Sequence, residues 1–168
     1  MEYNLPSQIK TELSNLKSKK IISIKRSFLT SDFEDRELDV RNQDSDGPLE
    51  LKFDSGEILH IISDSERFGI DISFTELPEM GEYYTKAVFL NKTNFWKNYI
   101  NTPIKSICIL QFINELNECP HEFAIQFIFE ANLGFQVEYV VDDMDYFDQL
   151  RVQPVIIKQE TDIITISL

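Results

Sequence analysis

Asn42, Asp44, Asp46 and Gly47 fall at the first, third, fifth and sixth positions of a calcium-binding hand loop, where oxygen ligands and a sharp turn are needed. The last position of such a loop must supply a bidentate carboxylate, and here it is Phe53. After Pro48 comes the alternating run "LELKF", a strand pattern rather than a second helix. The stretch therefore reads as an Asp/Gly/Pro turn feeding a hairpin. Glu50 and Lys52, two apart on that strand, share a face and are the pair that metal-dependent nucleases set beside an upstream Asp, such as Asp39 or Asp46. A nuclease also needs basic surface for its substrate, which this chain lacks.

Two further clusters carry reactive residue types. "ECPHE" brings Cys119, His121 and Glu122 into one short loop. Zinc sites use four ligands in recognisable pairs, and a Cys–His nucleophile needs a third group to orient its base, so this segment reads as a turn. "VVDDMDYFD" groups Asp142, Asp143, Asp145 and Asp148 around Met144, Tyr146 and Phe147. It reads either as a solvated loop anchored by Phe147 or as an acidic patch with aromatic handles, which would steer a basic partner and then supply contact area. Gly-rich phosphate loops, serine elbows and paired-His motifs do not occur in the sequence. Enzyme activity is disfavoured, and neither cofactor nor metal is expected.

The elements that must position these residues come from the apolar spacing. Ile9, Leu13 and Leu16 form a helical stripe behind Pro6, and Phe95, Trp96, Tyr99 and Ile100 form another between Thr93 as N-cap and Pro103. Leu49, Leu51 and Phe53 alternate at period two, as do Phe123, Ile125, Phe127 and Phe129, and then Phe135, Val137, Tyr139 and Val141. One hairpin is expected to turn at Asp54 to Gly56 and its counterpart near Asn132 and Gly134. Overlaying the halves sets Leu13 on Trp96, Leu16 on Tyr99, Ile21 on Ile104 and Ile24 on Ile107. Further along, at other offsets, "LELKF" falls opposite "FAIQF" and Phe68 opposite Phe147.

This duplication predicts an α+β fold of two related helix-plus-antiparallel-strand units, a tandem internal repeat forming one compact, mostly β protein. The first unit spans residues 1–72, a connecting segment with a strand through Tyr84 to Leu90 spans 73–93, and the second unit with C-terminal strands spans 94–168.

Charge follows the same division. Residues 1–26 carry +4, 27–85 carry −12, 86–105 carry +4 and 106–168 carry −9, which together make the net −13 of this 168-residue chain. So acidic a surface argues against direct nucleic-acid or anionic-membrane binding and favours a basic protein partner. Hydrophobic residues at 42% and thirteen Phe indicate a folded core rather than an acidic tail. The first residues lack a signal-peptide pattern, and two cysteines are too few for a disulfide framework, so a cytoplasmic setting is expected.

Small size, acidic surface and the lack of catalytic motifs give a likeness in style to bacterial immunity proteins, which bind and inhibit a cognate toxin. That likeness implies an acidic, non-enzymatic protein that neutralises a toxin domain or a nucleic-acid-binding enzyme, acting as a monomer or small homo-oligomer. The residues expected to meet the partner are Asp32, Glu34, Asp35, Glu37, Asp39, Asp44 and Asp46, with Asp142, Asp143, Asp145, Tyr146 and Asp148. Two alternatives are a phage or mobile-element inhibitor that mimics nucleic acid, and a metal-dependent enzyme or metal-binding module built on the acidic loops.

Overall fold

The computed structural model describes residues 4–30, 44–45, 47–66, 69–112, 121–130, 133–141, 148–155 and 163–168. Helix α1 (Ser7–Ser14) precedes β1 (Ile21–Arg26), β2 (Asp44–Ser45), β3 (Leu49–Phe53), β4 (Ile58–Asp64), β5 (Gly69–Ser73) and β6 (Val88–Phe89). A 3-10 turn at Trp96–Asn98 leads to β7 (Ser106–Phe112), β8 (His121–Ile128), β9 (Gly134–Val141), β10 (Asp148–Pro154) and β11 (Ile163–Ser167). The first sheet has the order β5-β4-β3-β1-β6 and the second β11-β7-β8-β9-β10-β2, with every pairing antiparallel.

The two sheets pack face to face, with β4 and β5 against β8, β9 and β10. Alternation along the strands supplies the interior: Ile24, Leu49, Leu51, Phe53, Leu59, Ile61 and Ile72 from one sheet meet Ile107, Ile109, Ile125, Phe127, Phe135, Val137 and Val152 from the other. The β3–β4 hairpin turns where the sequence indicates. Phe53 N–H donates to Glu57 O at 2.9 Å, and Gly56 takes a φ of +103°, a conformation that costs a residue with a Cβ.

The expected α+β architecture is corrected by these elements: the described residues are mostly β with one short α-helix, not a tandem of helix-plus-strand units. Each sheet does contain a four-stranded meander, β1-β3-β4-β5 and β7-β8-β9-β10. The helix, however, is not repeated. Where the apolar spacing predicts a second helix from Thr93 to Pro103, only the three-residue turn at Trp96–Asn98 forms.

The physical reason lies in the residue types. Helix nucleation is costly, and aromatic and Asn residues do little to offset it. Asn98 Nδ2 instead donates to Asn94 O at 3.2 Å, and Asn101 adopts a φ of +60° that ends the turn. Tertiary packing decides the rest. Trp96 lies edge-on to Phe135 with ring centroids 4.9 Å apart, and the Tyr99 hydroxyl donates to Gly134 O at 3.0 Å. Burial pushes the Tyr99 phenol above its ordinary pKa, which keeps it a donor.

The strand expected through Tyr84 to Leu90 is likewise shorter. It comprises Val88–Phe89, with Tyr84 forming an isolated bridge to Leu29.

Candidate functional site

Of the residues expected to meet a partner, Asp32, Glu34, Asp35, Glu37, Asp39, Asp46, Asp142, Asp143, Asp145 and Tyr146 lie outside the described residues, as do Asn42 of the calcium-like loop, Cys119, and the overlaid Phe68 and Phe147. Asp44 lies in β2, and Asp148 opens β10. These two strands are neighbours: Asp44 pairs with Arg151 and Ser45 with Leu150, while Asp148 pairs with Val141 of β9. Asp44 and Ser45, from the end of the first acidic stretch, thus lie alongside β10, the strand that Asp148 opens. About a hundred residues of chain separate them in sequence. The third position of the calcium-like loop is therefore a ladder residue.

A buried cation holds this edge to the rest of the molecule. Arg26, at the end of β1, is fully buried between the sheets on the same parity as Ile24 and Phe28. Its Nε donates to Gly47 O at 3.1 Å and its Nη2 to Leu150 O. It therefore ties the turn after β2 and the strand β10 to the first sheet. The guanidinium carbon lies 5.9 Å from the Phe28 ring centroid.

Gly47 is required here by contact rather than by conformation. A Cβ at this position would stand 1.6 Å from Ser27 O. Gly47→Ala must push the two backbones apart and is expected to cost about 2 kcal/mol or more. Denaturant titration checks this, and an unchanged midpoint would show that the turn does not press on Ser27.

Behind the edge, β9 and β10 carry a polar network. Glu138 accepts from Gln136 Nε2 at 2.5 Å and from Gln153 Nε2 at 2.7 Å, and it lies 3.7 Å from Arg151 Nη1. Gln126 Nε2 extends the chain to Gln136 Oε1 at 2.7 Å. Satisfied networks of this kind fix side-chain positions, so the strand that bears Asp148 is rigidly supported.

The other sequence candidates have structural partners. Glu50 is 3% exposed, 3.1 Å from Lys25 Nζ, and accepts from Leu77 N–H at 2.8 Å. Glu122 is 1% exposed and accepts from Leu5 N–H at 2.6 Å, from Lys10 Nζ, and from Gln111 Nε2 at 3.3 Å. It anchors the N-terminal segment to the end of β8. Among the described residues no group of three or more His, Cys, Asp or Glu is placed to hold a metal ion, and no helix is long and apolar enough to cross a membrane.

The sequence places His60 within a strand and Arg26 in the basic first segment, and assigns a role to neither. A signal for Arg26 was present, because it occupies an inward position between two apolar ones in an alternating strand. For His60 the sequence shows only a polar residue at an outward strand position. No protein-family model matches the chain, and no curated protein or solved structure matches it significantly.

Proposed function

We propose that the protein is an acidic, non-enzymatic binding protein that captures and neutralises a basic protein partner, in the manner of immunity proteins that inhibit bacterial toxins. The observation that supports this reading is the pairing of β2 with β10, which sets Asp44 of the first acidic stretch alongside the strand that Asp148 of the second opens. Carboxylates brought to this edge from both stretches would add their charges in one field. A field built this way attracts a basic surface over a screening length, and the aromatic Tyr146 would add contact area after docking. The buried Arg26 and the Glu138 network supply a firm base for that edge, which lowers the entropy lost on binding.

In this mechanism the partner's positive cleft is covered and its charge cancelled, so inhibition is steric and electrostatic. Replacing Asp142, Asp143 and Asp145 together by Lys is expected to slow association with the captured partner by about tenfold or more and to flatten its dependence on salt. Stopped-flow association rates across a salt series measure both. Unaltered rate and slope would remove this edge as the docking surface.

A further inference from the structure

β5 and β6 stand at opposite edges of the first sheet, so residues 74–87 must cross from one edge to the other. Four strand spacings, about 19 Å, separate these edges, a distance an extended chain covers in about six residues. The connection therefore has slack, and it contains no helix or strand beyond the bridge at Tyr84. Its far end is fixed by Thr85 N–H to Phe28 O and by Thr30 N–H to Tyr83 O, each at 2.8 Å. Over the middle of the sheet it is held by Leu77 N–H donating to Glu50 Oε2. Glu50 points away from the core residues Leu49 and Leu51, so the crossing covers the sheet's outer face.

Beneath it runs a cross-strand row, Lys25 on β1, Glu50 on β3, His60 on β4 and Ser73 on β5. These outward positions would be wet in an uncovered sheet, yet His60 is only 8% exposed. Its Nδ1 lies 3.4 Å from Ser73 Oγ, and its Nε2 is buried with no hydrogen-bond partner among the described residues. The charged groups facing the ring are Glu50 from β3, with Lys25 behind it on β1, and Asp71 from β5. The crossing segment contributes Leu77 through its backbone.

We propose that residues 74–87 are an acid-released strap, with the Leu77–Glu50 hydrogen bond as its latch and His60 as the group that senses protons. In the closed state His60 is neutral, because an imidazolium there would be stripped of water and leave Nε2–H without an acceptor. Lifting the strap returns water to the ring and lets it take up a proton. Protons therefore favour the open state by linkage. A protonated His60 also draws the Glu50 carboxylate across the ladder, in competition with Leu77 N–H. Burial outweighs the attraction of Glu50 and Asp71 and holds the His60 pKa below its ordinary value. Closure is thus fully favoured above about pH 6.5, the unfolded value, and is lost as pH falls through the lower value of the closed state.

The test is amide hydrogen exchange by NMR on the full chain between about pH 8 and about pH 5, corrected for intrinsic exchange. Leu77 is expected to lose protection by about tenfold or more on acidification, with a midpoint that follows the titration of the His60 ring proton. Ile70 and Ile72 in the edge strand β5 should stay protected. In His60→Gln the Leu77 amide should show no such loss. The proposal is overturned if His60→Gln loses protection as the native chain does, if β5 opens rather than the strap, or if the native chain shows no loss at Leu77. Should His60→Gln fail to fold, coincidence of the Leu77 and His60 midpoints in the native chain decides, and separate midpoints reject the strap.

Discussion

Arg26→Met is expected to lower the unfolding free energy by about 3 kcal/mol, from partners left behind rather than from volume lost. Met fills much of the same space, so packing around Phe28 changes little. The carbonyls of Gly47 and Leu150, however, lose their donor in a region closed to water. Each buried acceptor left unsatisfied costs about 1–3 kcal/mol. One part of the change runs the other way, because a buried guanidinium carries a desolvation penalty that Met does not. The lost hydrogen bonds outweigh this because the buried backbone at Gly47 and Leu150 cannot turn to reach solvent in their place.

Arg26→Lys should fall between the two, since an ammonium lacks the planar fork that reaches both carbonyls at once. Urea titration of the three chains reads the effect as an ordered set of midpoints. A loss below about 1 kcal/mol for Arg26→Met would mean that the β2–β10 edge holds itself in place without the clamp.

Trp96→Ala should cost about 3–5 kcal/mol, the range for removing a buried indole from a packed core. Trp96 is fully buried and meets Phe95 edge-on at 4.9 Å and Phe135 at 4.9 Å, with Tyr99 at 6.1 Å. Through Phe135 the cluster reaches Phe127, stacked at 5.0 Å. Removing the indole therefore opens a cavity where the connection between the sheets is pinned to β9. Trp96→Phe is the informative control. Trp96 Nε1 has no hydrogen-bond partner among the described residues, so its loss breaks no bond and leaves only a smaller cavity. The Phe variant should cost less than half as much as the Ala variant in calorimetry. Equal costs would place the stabilisation in the indole N–H instead of in the packing.

Both changes act at places that the sequence describes unevenly. Alternation marked "LELKF" and "FAIQF" as strands, and Asp54 to Gly56 as a hairpin turn, because those signals are local and agree with the final packing. The apolar stripe from Phe95 to Ile100 misled, since helical spacing over so short a segment also fits one compact turn whose aromatics point into a core.

Topology was the harder part. Asp44 and Ser45 leave the first half of the chain to pair with β10 of the second, a crossing that a two-residue strand cannot announce. Glu50 and His60 sit at outward parity and read as solvent-facing, yet both are buried, and Leu77 of the segment after β5 binds Glu50 as that segment crosses to β6. Arg26 reads as an exposed cation at the end of a basic segment. Only its parity with Ile24 and Phe28 points inward. The acidic stretches were legible as charge, while the pairing of Asp44 and Ser45 with β10 joins residues distant in sequence.

We propose that the β2–β10 edge captures a basic protein and silences it. The direct measurement is capture by the tagged, full-length protein from the lysate of its own source cell, washed at about 0.1 M and then about 1 M salt, where the screening length falls from about 10 Å to about 3 Å. The captured protein is then identified and its activity assayed free and bound. The expected result is a basic protein held in near-equal amount at the lower salt, inactive while bound, and not retained by the chain with Asp142, Asp143 and Asp145 replaced by Lys. A captured protein that is neutral or acidic, or a basic one that stays fully active in the complex, would contradict it.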